Sequence, residues 1–267
     1  MKNRIEQKFD LLKSDEKAAF VAYVTAGDPN LDKSLEILLS IDEAGADIIE
    51  IGIPFSDPLA DGIVNQMAAS RALDSGTTVT HVIDLIRSFR EHSQTPLVLF
   101  TYLNPIYNYG YEKFHEDASN AGADGILTLD LPPSEEKINE ELCQAKGLLP
   151  IRLIAPTTPT TRISEIAESA LGFIYYVSRE GVTGKQTSLA DGIEEQIKTI
   201  KDLTDLPIVV GFGISSPEQT KDIAGMSDGV VVGSAIVDFI SQNKNQSNLK
   251  ELVYNFVKPL ADASKSI

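Results

Sequence analysis

Basic side chains are scarce in this chain: 23 Lys and Arg stand against 39 Asp and Glu over 267 residues, for a net charge of −16. No basic stripe is available to neutralise a phosphate backbone or an anionic bilayer, so nucleic acid and membrane surfaces are excluded as partners. Cysteine is nearly absent too. Cys143 alone cannot close an internal disulfide, which fits a reducing compartment, and the chain is expected in the cytoplasm. Its first eight residues mix both signs of charge and lack an apolar core, so they do not read as a signal peptide. No apolar run approaches the ~18–20 residues of a membrane span. Only three histidines occur, His81, His92 and His115, and no His/Cys/Asp cluster has ligand spacing, so no metal is expected. A Walker loop and a serine in a nucleophile elbow are missing as well.

What is present is a recurrence. Eight short runs rich in Val, Ile, Leu and Tyr occupy residues 20–24, 48–51, 97–101, 125–129, 151–154, 173–177, 208–211 and 230–232. Most are continuous rather than alternating, as befits parallel strands covered by helices on the outside. None contains a lysine, which leaves a Schiff-base mechanism without a candidate. Segments with helical spacing lie between the runs. Leu31, Leu35, Leu38 and Leu39 share one stripe; Ile163, Ile166 and Ala167 form another; Ile193, Ile197 and Ile200 form a third. An Ala-Gly-Ala-Asp stretch leads into the second run at Ala44–Asp47 and into the fourth at Ala121–Asp124, and a related Ala224-Gly225 precedes the eighth.

Eight units averaging about 33 residues each suit a closed (β/α)8 barrel in a single domain spanning residues 1–267. An open doubly wound sheet is the alternative, but the first run ends in Thr25-Ala26-Gly27-Asp28-Pro29 with no Gly-rich nucleotide turn. Ile5, Phe9 and Leu12 fall on one side of an extra N-terminal helix that would close the barrel bottom, and residues 249–260 read as a final helix. Two long loops are expected, from Gly52 to about Thr78 after the second strand and from Ser178 to about Ile193 after the sixth. In a barrel both would sit at the C-terminal face, where active sites are built.

Glu50 interrupts a strand of three isoleucines two residues before Gly52. A lone carboxylate in a parallel strand is costly to bury, and at a strand's C-terminal end it would line the pocket with a raised pKa, as suits a general acid or base. The following loop carries Asp57 before a proline and Asp61 before a glycine; either could serve a turn, and residue chemistry alone leaves the choice between them open. Glycine-bearing loops follow the last three strands, at 181–184, 211–216 and 233–235. Loops after the seventh and eighth strands of a barrel commonly bind phosphate through backbone N–H groups and a helix N-terminus, which also lets an acidic protein hold an anion. Proton transfer by carboxylates on a phosphorylated substrate, without a cofactor, is the chemistry to expect.

The stretch Glu50-Ile51-Gly52-Ile53-Pro54-Phe55-Ser56-Asp57-Pro58-Leu59-Ala60-Asp61-Gly62 resembles the signature of the tryptophan synthase α chain family. Residues 178–184, 211–219 and 233–237 are similar to further family stretches, in family order, so the resemblance covers nearly the whole chain. It implies a (β/α)8 barrel that cleaves indole-3-glycerol phosphate to indole and glyceraldehyde 3-phosphate. By resemblance, Glu50 matches the general acid/base and Asp61 the aspartate that holds the indole N–H. Tyr175 matches a pocket tyrosine, and Tyr23, Phe100 and Leu127 match the indole slot. Gly184, Gly213, Gly233 and Ser234 match the phosphate site, while Thr183 matches a residue of the closing loop. The resemblance also implies a β subunit as partner, in an assembly of two α and two β chains, with pyridoxal phosphate confined to β. A free-standing lyase, a non-catalytic activator of β and another phosphate-binding barrel are the competing readings. After Gly62 the family usually continues with proline and a short apolar stretch ending in glutamine; here it reads Ile63-Val64-Asn65-Gln66, which predicts a looser loop.

Overall fold

The structure, a computed structural model, describes residues 2–177, 189–211 and 213–266, with backbone only for 189–191. Nine parallel strands among the described residues form one sheet: β1 (Ala19–Thr25), β2 (Ile48–Gly52), β3 (Leu97–Thr101), β4 (Gly125–Thr128), β5 (Leu149–Pro150), β6 (Arg152–Ile154), β7 (Ile174–Val177), β8 (Ile208–Gly211) and β9 (Gly229–Val232). Their order is β5-β4-β3-β2-β1-β9-β8-β7-β6. The two ends of that order are consecutive in the chain. β5 and β6 are halves of one extended segment interrupted at Ile151, whose N–H still donates to the Ile126 carbonyl at 2.9 Å. The first half pairs with β4 and the second with β7, and this brings the sheet round on itself as an eight-fold barrel. The fifth run, residues 151–154, is therefore the second half of this segment, and β5 precedes it.

Alternation along each strand sorts the core into two clusters. One face sends Ala19, Val21, Tyr23, Ile48, Val98, Leu127, Tyr175, Val209 and Val231 into the barrel interior. The other sends Phe20, Ala22, Val24, Ile49, Ile51, Leu99, Tyr176 and Val210 against the surrounding helices. Both faces are apolar, which is why the runs carry no period of two. Glu50 belongs to the interior face, one pleat above Ile48.

The N-terminal helix Arg4–Ser14 buries Ile5, Phe9 and Leu12 as expected, and plugs the bottom of the barrel. Phe9 meets Phe173 with ring centroids 5.7 Å apart, and Arg4 is tied to the buried Asp124 at 2.8 Å. In the repeated helix-to-strand turn, Gly45 and Gly122 adopt φ of +104° and +102°, a region that favours glycine, whereas Gly225 is ordinary right-handed backbone at −67°. The final helix runs Leu249–Ala263 with Pro259 inside it.

One expectation needs correction. The stretch from Gly52 to Thr78 is not loop throughout: residues 53–62 lead into a helix, Ile63–Asp74, which buries Ala68, Ala69 and Ala72. Three small residues make a weak stripe beside two β-branched ones, so helical periodicity is faint there. The second long loop falls largely outside the described residues, with a helix beginning at Leu189.

Candidate active site

At the C-terminal mouth of the barrel lies a cavity of about 450 Å³. Tyr23, Phe100, Tyr175, Val177 and Val231 form its apolar wall, and Gly211, Gly213, Gly233 and Ser234 form its other end. Two larger hollows, about 680 and 740 Å³, open at the opposite end of the barrel between lysines and acids such as Lys13, Lys17, Asp10 and Asp228, or around Arg4 and Asp124. Their linings contain none of the buried, unpartnered side-chain atoms found among the described residues.

Strand register builds the wall. Tyr23 on β1 lies beside Glu50 on β2, and Glu50 lies beside Val98 on β3. The Tyr23 ring reaches across β2 to meet Phe100 edge-on, with centroids 5.0 Å apart. Gly52 permits this, because a Cβ there would stand 2.3 Å from the Tyr23 hydroxyl. Gly211 does the same for Tyr175, whose hydroxyl would lie 2.5 Å from an added Cβ. Glycine at these two strand ends makes room for two phenols.

Glu50 is fully buried, and neither carboxylate oxygen has a hydrogen-bond partner. Desolvation pushes its pKa up to about 8, so the group is chiefly protonated at neutral pH. Burial also raises the Asp61 carboxyl, while hydrogen bonds from Tyr102 and Asn65 pull it back toward the anion. Burial is the main force raising both the Tyr23 and Tyr175 phenols, and the charges of Glu50 and Asp61 both reach each of them. The two carboxyls therefore act on the same two phenols, Glu50 neutral at neutral pH and Asp61 raised by burial against its hydrogen bond from Tyr102. Asp57, in contrast, is exposed and its carbonyl accepts from the Leu59 N–H at 2.9 Å, a turn. Asp61, unlike Asp57, is half-buried and adjoins the lining residues Gly62–Asn65, although neither it nor Glu50 is itself part of the cavity lining.

Tyr102 is a site residue that sequence reasoning missed. Its hydroxyl donates to Asp61 Oδ2 at 2.8 Å and accepts from the Ala60 N–H at 3.0 Å, and its ring lies 5.4 Å from that of Phe55. It clamps the acid-bearing loop to the end of β3, and nothing local in the sequence marks it. Tyr102→Phe is expected to raise the Asp61 pKa, because the lost bond favoured the charged form. Carboxyl chemical shifts followed by NMR across pH would check this; an unchanged midpoint would mean that the bond carries no energetic weight.

The stretch after Gly62 is helical from its first residue. The Gln66 N–H donates to the Gly62 carbonyl at 3.0 Å and the Gln66 side chain to the Asp61 carbonyl at 2.8 Å. Ile63 takes the first helical position, which accepts proline or an ordinary residue alike. At the cavity's far end, Gly213 has φ +60° with open space around it, and Gly233 caps the helix Ser234–Asn243, whose first turn holds no acid. First-turn N–H groups without intrahelical partners make this end suited to an anion. Leu127 does not reach the cavity: it is buried in the barrel interior beside Phe100. Thr183 and Gly184 lie outside the described residues.

Residues 9–265 match the family model described as tryptophan synthase alpha chain. The tryptophan synthase alpha chain of Opitutus terrae is 49% identical over 241 residues, covering 90% of this chain and 91% of the relative. That of Desulfatibacillum aliphaticivorans is 45% identical over 261 residues, 98% of each. Among solved structures, tryptophan synthase subunit alpha from Legionella pneumophila superposes with a TM-score of 0.93 at 35% identity, covering both chains fully. A structure of Mycobacterium tuberculosis tryptophan synthase superposes with a TM-score of 0.90 at 30% identity over 99% of each chain.

Proposed function

The chain belongs to the tryptophan synthase α chain family, as a lyase of tryptophan biosynthesis that works with a β subunit, and from that premise we propose how its residues carry the reaction. The substrate is indole-3-glycerol phosphate. Its phosphate sits on the N–H groups around Gly213, Gly233 and Ser234, joined by Gly184, and its indole lies among Tyr23, Phe100 and Tyr175. The observation that supports this best is Glu50, a fully buried acid with unpaired oxygens that is protonated at neutral pH.

Glu50 gives its proton to C3 of the ring, and Asp61 accepts the ring N–H and stabilises the positive charge that develops on nitrogen. The Glu50 carboxylate then takes the proton of the hydroxyl on the carbon attached to C3. That carbon becomes the aldehyde, the C–C bond breaks with its electron pair returning to the ring, and Glu50 ends protonated again. Each such transfer typically contributes ~10²–10⁴-fold. Thr183 would close over the site and meet Asp61, excluding water. No cofactor takes part in this step; pyridoxal phosphate belongs to the β subunit.

The same rim exposes Leu59 (83%), Ile63 (68%), Met67 and Tyr107, apolar groups that suit burial under the β chain in a cytoplasmic assembly of two α and two β subunits. The deciding test is indole release from indole-3-glycerol phosphate by the purified chain. Slow release alone and strong stimulation by a β chain are expected. Absence of release under both conditions would overturn the reading.

A further inference from the structure

Asn65 occupies the third position of the helix Ile63–Asp74 and stands on the cavity wall with Tyr23, Phe100 and Tyr175. Its Oδ1 is buried and has no hydrogen-bond partner, and of the side chains with such atoms among the described residues it alone lines the cavity. The amide also favours the charged form of the Asp61 carboxyl four residues earlier, against the effect of burial. The unpartnered atom is the carbonyl oxygen, which can only accept. A buried carbonyl with no donor is unfavourable until a ligand supplies one. The residue also falls in the stretch 63–66, where this chain departs from the apolar family pattern.

We infer that Asn65 is a specificity residue that accepts a hydrogen bond from the substrate's ring N–H through Oδ1, alongside Asp61. The inference rests on the proposed reaction. At the apolar end of indole-3-glycerol phosphate the ring N–H is the only donor, so it is the group that can satisfy both acceptors. The carbonyl dipole thus faces the nitrogen on which positive charge builds. A ligand with the same shape but no N–H would leave the carbonyl unpaired, and sites of this kind reject such analogues strongly.

Calorimetric titration with two unreactive ligands tests this: indole-3-propanol phosphate, which lacks the hydroxyls needed for cleavage, and its benzothiophene counterpart, in which sulfur replaces N–H. The wild-type chain is expected to prefer the indole compound. Asn65→Leu should weaken the indole compound about 10–100-fold and leave the benzothiophene compound as tight or tighter, so that the preference contracts. Comparing the two ligands across the two proteins cancels the apolar packing they share and reads the loss of an acceptor for the ring N–H. Asn65→Ala gives the same readout if leucine compromises folding, which thermal melting would reveal. Equal weakening of both ligands, or an unchanged preference, would overturn the inference and leave the lyase reading intact. Failure of the wild-type chain to bind either compound would overturn both.

Discussion

Glu50→Gln is expected to reduce indole release at saturating substrate by about 10³–10⁴-fold while changing KM only slightly. The substitution keeps the shape of the side chain and its place on β2 between Tyr23 and Val98, and removes only the exchangeable proton. In the proposed cycle that proton is used twice, delivered to C3 and then recovered from the hydroxyl, so one substitution disables both transfers. Ground-state contacts are supplied by Tyr23, Phe100 and Tyr175 at one end and by Gly213, Gly233 and Ser234 at the other, and the substitution changes none of these residues. Steady-state kinetics with a β chain present would decide. Turnover within tenfold of wild type would remove Glu50 from the chemistry.

How far such a residue is legible depends on whether its signal is local. Glu50 stands out because an acid among three isoleucines violates the expectation for a buried strand, and the structure places it with no partner at all. The barrel itself is equally legible, since both faces of each strand are buried and the runs are unbroken. Asp57 and Asp61 are alike in sequence, each beside a turn-forming residue, and only the Tyr102 hydroxyl 2.8 Å away distinguishes Asp61. Tyr102 and Asn65 matter through contacts across chain separations or helix turns that no spacing rule reports. The strand break at Ile151 follows Pro150, a residue without an N–H for the ladder, and the helix after Gly62 packs with alanines, whose stripe is nearly invisible to hydropathy. The phosphate-binding end is intermediate: its glycines are visible, but their coincidence at one mouth depends on the barrel closing.

The same Glu50→Gln variant is expected to be more stable than the parent at alkaline pH, by an amount that grows with pH. In the unfolded chain the carboxyl ionises near 4.5, whereas in the folded chain burial holds the proton until about pH 8. Below pH 4.5 both states are protonated and Glu50 costs little. Between those two values the unfolded chain releases its proton while the folded chain keeps it, so stability falls as pH rises. Above pH 8 the folded carboxyl ionises too, and the loss levels off on the order of 4 kcal/mol. Glutamine carries no such penalty, and although its amide still lacks partners, that deficit does not vary with pH. The other 38 acids and the 23 Lys and Arg are common to both proteins and cancel in the difference. Urea unfolding of both proteins at pH 4.5, 6, 7.5 and 9 would therefore give a difference near its minimum at the acid end and a few kcal/mol larger at the alkaline end. Parallel stability curves would mean that Glu50 is ionised in the folded chain at neutral pH, and the acid that donates to C3 would have to be sought elsewhere. A diverging pair would tie the two properties together: the dry, unpaired setting that makes this carboxyl a proton donor at neutral pH is also what destabilises the fold around it.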